Sequence, residues 1–420
     1  MKIKNYFSLL LLGAVSSFFA SCSDDKNNNS EKVDINALSQ TIDEYVSSVV
    51  YPTYTNLAKA ADALYNKSIA MQNNFKSGSL SDADVKAACQ EFENARYYWE
   101  RSEAFLYGAA SDFDIDPHID SWPLDQTQMA SFLSNKDMVA GLNSADPIAF
   151  VRKNNAEFDT ALGFHGVEFI LYRNGASRPA SAFSKPEDYE TFAGTNVGGA
   201  EELAFLVAVT GDLRDHCWQL EVSWLGNSAA ANHISRVKEL GMDYICESTG
   251  LSYGESLLNA GKNDLYPSLQ YAVANILTGG CSNICAEVAD QKMGQAYRVL
   301  TGTGSAEDAG DYIESPYSKH SFIDYQGNIY SIRASLYGIA NDSASPTTNS
   351  IINYLRINNY ERASQLDEAL KSAISALQAC IDSKVAFVDD PGNPRVSTAI
   401  DAVTTLDEEL NYAANWVERL

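Results

Sequence analysis

Apolar side chains recur at steps of three and four residues along most of positions 33–420, and this periodicity constrains the fold more than any other feature. Ile35, Leu38, Ile42, Tyr45 and Val49 follow it, and Leu57, Ala60 and Leu64 resume it beyond Pro52. Proline lacks an N–H and crowds the preceding turn, so Pro52 predicts a kink or break in a long first helix. Ser81-Asp82-Ala83-Asp84 is an N-cap signal for a second helix through Phe92, Ala95, Trp99 and Phe105 to Gly108. The same reading gives helices near 157–173, 198–225, 230–247, 250–260, 266–278, 282–300, 320–340, 348–383 and 395–418. Alternating strand patterns are scarce, so the expected class is all-α. Short connections favour antiparallel neighbours and therefore two up-down helical bundles, 33–235 and 236–420. Residues 108–135 and 174–197 read as non-helical stretches longer than ordinary connections, which marks them as candidate functional loops.

The N-terminus is of another kind. Lys2 and Lys4 precede an apolar run from Tyr6 to Ala20 that is shorter than the roughly 20 residues of a membrane-spanning helix, so residues 1–21 read as a signal peptide. Phe19-Ala20-Ser21-Cys22 resembles the lipobox of bacterial lipoproteins, which implies that Cys22 is the lipidated first residue of the mature chain. The alternative is an ordinary cleavable signal with an incidental cysteine. Residues 22–32 are polar and have nothing to pack, as expected of a flexible tether. Asp24 and Asp25 resemble the surface-export signal of some Gram-negative lipoproteins, so both the periplasmic and the cell-surface side of the outer membrane stay open.

Charge narrows the partners. The chain carries 30 basic and 55 acidic residues, a formal net charge of −25, and losing residues 1–21 with their two lysines takes it to −27. Phosphate backbones are bound by clustered Lys and Arg, so nucleic acid is excluded as a partner. Cations or cationic ligands fit better. Besides Cys22 there are six cysteines, Cys89, Cys217, Cys246, Cys281, Cys285 and Cys380, an even number that permits disulfides in an exported protein. Cys281 and Cys285 could pair only if the helix turns there, as Gly279-Gly280 allows; a zinc pair is the alternative.

Chemistry concentrates in Gly163-Phe164-His165-Gly166-Val167-Glu168, inside an otherwise apolar stretch. Positions three apart share a helix face, so His165 and Glu168 can converge, and imidazole with carboxylate suits zinc or iron. Gly163 and Gly166 weaken a helix and are best tolerated where a backbone or ligand comes close. The bland alternative is a core histidine hydrogen-bonded to a glutamate.

This motif, with Trp99-Glu100-Arg101-Ser102-Glu103-Ala104-Phe105, Ser121-Trp122-Pro123-Leu124-Asp125 and Glu314-Ser315-Pro316-Tyr317-Ser318, resembles the imelysin family over about 33–420. The resemblance implies two helical bundles from an ancient duplication, a shared site in the cleft between them, and a family classed among metallopeptidases and linked to bacterial iron uptake. The two roles make different demands. A zinc peptidase needs about three protein ligands, an open position and a general base. His165 and Glu168 supply two groups, and Glu168 cannot serve freely as ligand and as catalytic base. A third nitrogen would have to be His118, His216, His233 or His320, of which His118 is the best placed. A binding site asks for less: Glu100 and Glu103, read as sharing one helical face, and Asp125 could join His165 and Glu168 around a divalent metal, iron or zinc. Such carboxylates repel unless a cation or proton offsets them. Arg101 could pair with the acids, and Ser315, Tyr317 and Ser318 could either cap a helix or contact the ligand. The expected function is a lipid-anchored envelope protein that binds a metal ion or metal complex for iron uptake, with other envelope iron-uptake proteins as partners. A zinc metallopeptidase is the alternative, and a structural or adhesive surface lipoprotein the third.

Overall fold

The first helix survives Pro52. The computed structural model describes residues 34–420, the side chains of Glu157 and Asp159 excepted, so the signal segment, Cys22 and the tether lie outside the described residues. Ala37–Tyr45 leads through a π-helical turn at Val46–Val50 into Tyr51–Lys76. Pro52 follows the π-helical turn directly, at the start of that last segment. The carbonyl of Ser48, which a residue-52 amide would meet in an uninterrupted α-helix, accepts the Ala340 N–H at 3.1 Å. The expected kink or break takes the form of a widened turn, whose spare carbonyl anchors a distant loop.

The second helix, Asp82–Glu100, starts at a capping box: Ser81 Oγ accepts from Asp84 N at 3.3 Å, and Asp84 Oδ2 accepts from Ser81 N at 2.8 Å. It stops at Glu100, short of the expected Gly108. Both the backbone N–H and the hydroxyl of Ser102 donate to Trp99 O at 2.7 Å, taking the carbonyl that a further α-turn would need, and Glu103–Phe105 becomes a 3-10 turn. Glu100 and Glu103 therefore do not share a helical face.

Other boundaries shift for local reasons. The stretch 108–135 is helical in pieces, Ala109–Asp112, Ile115–Ile119 and Gln126–Ser134, too short to carry a periodic signal. Residues 174–197 contain 3-10 turns and complete a small hairpin in which Tyr172–Arg173 pairs with Ala176–Ser177 across Asn174-Gly175, both at positive φ. Asn359, at φ 58°, splits 348–383 into Ile351–Ile357 and Ala363–Asp382. Leu162 separates the 3-10 turn Asp159–Ala161 from the motif helix Gly163–Leu171, so 157–173 is not one helix. The 230–247 segment shortens to Ala231–Glu239 before Gly241 at positive φ. Gly199–Leu225, Ser321–Tyr337 and Pro394–Glu418 lie close to expectation.

The fold is all-α: that hairpin holds the only named strands among the described residues. Two helices are buried on nearly every face, Gly199–Leu225 against Tyr51–Lys76 and the motif helix, and Ser321–Tyr337 against Asp82–Glu100. The latter pair runs in parallel register, with Asp324 beside Arg96, Asn328 beside Glu100, and Ser331 Oγ accepting the Ala104 N–H at 2.9 Å. Gly327 permits this approach, since a Cβ there would lie 2.6 Å from Glu100 Cβ. All six cysteines of the described residues are buried and free, Cys281 and Cys285 included. No helix among the described residues is long and apolar enough to cross a membrane.

Candidate metal centre

The motif glycines serve backbone contacts. Gly163 has φ +68°, and a Cβ there would stand 1.9 Å from Ile119 O; at Gly166 it would stand 2.0 Å from Ala161 O. Gly163 therefore lets the Ile115–Ile119 turn press onto the start of the motif helix. That approach brings the next residue, Asp120, to His165: Asp120 Oδ1 is 3.1 Å from His165 Nε2, off the line of a good hydrogen bond. Trp99 Nε1–H donates to Asp120 Oδ2 at 2.7 Å. On the other side of the ring His165 Nδ1 is 3.4 Å from Glu168 Oε2, so the pair does converge as its spacing predicts. Glu168 is committed elsewhere too, its Oε1 accepting from both the N–H and the hydroxyl of Ser318 at 2.7 Å.

From this pair a buried polar cluster spreads through the middle of the molecule. Arg96 contacts Glu100, Asp120 and Glu314, and Asp324 at 3.4 Å. Lys292 lies 3.1 Å from Glu314 and 4.0 Å from Glu103. Asn328 Nδ2–H donates to Glu100 Oε2 at 2.5 Å, and Ser315 Oγ–H to Asp324 Oδ2 at 2.5 Å. Six buried carboxyl groups (Glu100, Glu103, Asp120, Glu168, Glu314 and Asp324) thus surround the cations Arg96 and Lys292 and the imidazole of His165. Half-buried Asp116 and Glu287 extend the acid field on the side of Lys292, where Trp122 packs at a tilt against Tyr312 with ring centres 4.1 Å apart.

Negative groups outnumber positive ones, and proton affinities adjust. Burial lifts the carboxyls of Glu100 and Glu103 well above the usual range, against the pull of Arg96 and Lys292 respectively. Burial, helped by Glu287 and Asp120, pushes Asp116 up to about 8. Burial opposes charge at Asp120 as well, but Arg96 and His165 outweigh it and hold this carboxyl well below its usual range. For His165 burial again disfavours charge, and the adjacent carboxylates of Asp120 and Glu168 overcome it, raising the imidazole to about 9. Lys292 is held charged by Glu103 and Glu314 despite its burial.

Three buried atoms have a charged neighbour but no well-aligned hydrogen bond: Glu100 Oε1 beside Arg96, Glu314 Oε2 beside Lys292 and His165 Nε2 beside Asp120. Ligand atoms of Asp120, His165 and Glu314 lie within 4.8 Å of one another; Glu100, Glu314 and Asp324 form a second set, and Glu100, Glu103 and Asp120 a third. One imidazole among carboxylates suits iron or zinc. The donor set fits a metal ion, with His165, Asp120 and Glu314 able to hold it and Glu168 orienting the ring.

A family model described as Imelysin, peptidase M75, matches residues 50–411. The chain belongs to the imelysin family. A relative from Synechococcus elongatus, named iron-regulated protein A, is 24% identical over 88% of this imelysin chain and 84% of its own. Among solved structures, a provisionally named iron-regulated protein A precursor from Parabacteroides distasonis superposes with a TM-score of 0.71 at 23% identity, over 91% of this chain and 95% of that one. An imelysin-like protein from Psychrobacter arcticum gives 0.60 at 12% identity, over 93% and 98%. Both likenesses are of fold.

Within this imelysin chain the structure sorts the residues read from sequence. Trp99, Glu100, Glu103, Gly163, His165, Gly166, Glu168, Ser315 and Ser318 meet in or around the cluster. Ser315 and Ser318 contact its carboxylates and cap no helix; the Ser321–Tyr337 helix begins after His320 without a side-chain cap. Trp122 stands at the edge beside Lys292. Arg101 pairs instead with Asp342 at 2.7 Å, and Tyr317 O–H is 2.5 Å from Gln126. Asp125 caps Gln126–Ser134 through the Gln128 N–H at 2.8 Å and lines a separate groove of about 390 Å³. No second histidine reaches His165: His118 and His216 meet Asp212, His233 pairs with Glu221, and His320 packs near Tyr172. Sequence reasoning passed over Arg96, Asp120, Lys292, Glu314 and Asp324 as cluster members. The available signal was Arg96 four residues before Glu100, a spacing that turns both toward one helix face.

Proposed function

We propose that this imelysin-family chain binds a metal ion or metal complex in the buried cluster around His165, as cargo in bacterial iron uptake. One observation carries the reading: six buried carboxyl groups face two side-chain cations and one imidazole, so the acids outnumber the positive groups built in to answer them. A cation entering there replaces protons as the counter-charge, so binding releases protons and strengthens as pH rises. The name of the Synechococcus relative supports iron as the metal, although the donors suit zinc as well. In the same reading, bundles 33–235 and 236–420 wall the site. Lipid on Cys22 holds the chain to the outer membrane, on its periplasmic or cell-surface side, beside other envelope iron-uptake proteins.

The metallopeptidase alternative finds less support. It requires Glu168 as ligand or base, and Glu168 already accepts two hydrogen bonds from Ser318 while only one imidazole is present. The test is metal analysis and titration with Fe²⁺, Fe³⁺ and Zn²⁺ on protein purified without chelators, comparing wild type with His165→Ala and Glu314→Gln. One equivalent in wild type, weakened at least tenfold in both variants, is expected. Failure of wild type to bind any of the three ions refutes the reading and favours a structural or adhesive role. Metal-dependent cleavage of a peptide panel, lost in His165→Ala, would restore the peptidase.

A further inference from the structure

His118, the best placed in sequence of the four candidates for a third zinc nitrogen, faces away from His165. Its Nε2 lies 2.6 Å from Asp212 Oδ2, and its ring is 4.1 Å from that of His216, centre to centre. His216 follows Asp212 by four residues on the long Gly199–Leu225 helix, so the two side chains stand on one face of a rigid element; His216 Nδ1 is 3.5 Å from Asp212 Oδ2 and 3.0 Å from the Asp212 carbonyl. Ligand atoms of all three residues fall within 4.8 Å of one another. Asp212 is buried, whereas both histidine side chains keep 14% of their surface exposed, which leaves a route from solvent.

We propose that His118, Asp212 and His216 form a second metal site, separate from the His165 cluster, for a borderline divalent ion such as Zn²⁺, Fe²⁺ or Co²⁺. Two imidazole nitrogens and one carboxylate oxygen are the donors such ions take, with further positions left to water. The supporting shell is already in place. Arg152 Nε–H donates to Asp212 Oδ1 at 3.0 Å, fixing the carboxylate plane while Oδ2 points at the imidazoles. Arg152 is anchored in turn by Asp215 at 2.8 Å. His216 Nδ1–H donates to the Asp212 carbonyl at 3.0 Å, which leaves Nε2 as the nitrogen with a lone pair for a metal. The two sites draw on the same short segment: His118 points to the second, and Asp120, two residues on, to the first.

The experiment uses the full chain carrying His165→Ala and Glu314→Gln, which disables the first site, titrated with Co²⁺ and followed by visible d–d absorption. One equivalent of Co²⁺ with these bands is expected. Adding His118→Ala or His216→Ala should each weaken binding at least tenfold, and His216→Gln, which fills the same space, should do the same in a chain whose circular dichroism and melting are unchanged. If the doubly substituted chain binds no Co²⁺, or if the bands survive His216→Gln undiminished, the site does not exist. Because the first site is removed beforehand, this result is independent of the outcome at His165.

Discussion

Replacing Gly163 by alanine tests the link between motif and cluster. Two costs add. An L-residue at φ +68° loses about 1–2 kcal/mol to the left-handed conformation. The new Cβ would also meet Ile119 O at 1.9 Å, where contacts below 3.0 Å are not tolerated, and the obstructing atoms are backbone, so the Ile119 segment must retreat by about 1 Å. Overpacking of this kind costs about 1–3 kcal/mol, which gives about 2–5 kcal/mol in all. Gly78→Ala is the control: its φ of +72° is similar, but nothing lies within 4 Å of the added methyl, so only the conformational cost remains. The retreat carries Asp120 away from Trp99 Nε1 and His165 Nε2, now at 2.7 and 3.1 Å. His165 then loses a main partner holding it near 9 and titrates lower. Urea denaturation of both variants gives the stability difference, and NMR titration of the His165 ring gives the second readout. If Gly163→Ala costs no more than Gly78→Ala and His165 still titrates near 9, the proposed role of Gly163 in seating Asp120 is wrong.

The metal-free protein should lose stability as pH rises from 6.5 to 9. His165 has a folded pKa of about 9 against 6.5 unfolded, so its contribution, about 3 kcal/mol, is complete below 6.5 and gone above 9; denaturation at the two pH values, with His165→Gln flattening the slope, checks it. Glu100 and Glu103, also raised, act with the same sign above their unfolded values, while Asp120, lowered, affects only the acid side. Arg96→Ala strands buried carboxyl groups and should cost about 3–5 kcal/mol. Arg101→Ala, at a partly exposed pair, should cost at most about 1 kcal/mol by the same chemical denaturation. Ser318→Ala leaves Glu168 Oε1 only the backbone donor and should cost about 1–2 kcal/mol, with metal affinity reduced in titration.

Local physics was legible along the chain. Three- and four-residue steps and the Ser81 cap announced an all-α protein and most of its long helices, because such signals depend only on neighbours within a few residues. The spacing of His165 and Glu168 placed them together for the same reason, and Gly163 and Gly166 marked a close approach that proved to be backbone. Helix ends at Glu100, Leu162 and Asn359 were lost, since a single serine hydroxyl or one positive φ decides them. The centre itself was a matter of tertiary structure. Arg96, Asp120, Lys292, Glu314 and Asp324 come from distant segments, and only packing shows that Arg96 and Lys292 answer part of the acid charge while His118 turns to Asp212. The net charge could be counted from the sequence, but whether a carboxylate faces water, a guanidinium or another carboxylate depends on distances that the folded chain alone defines, and those distances set its energy.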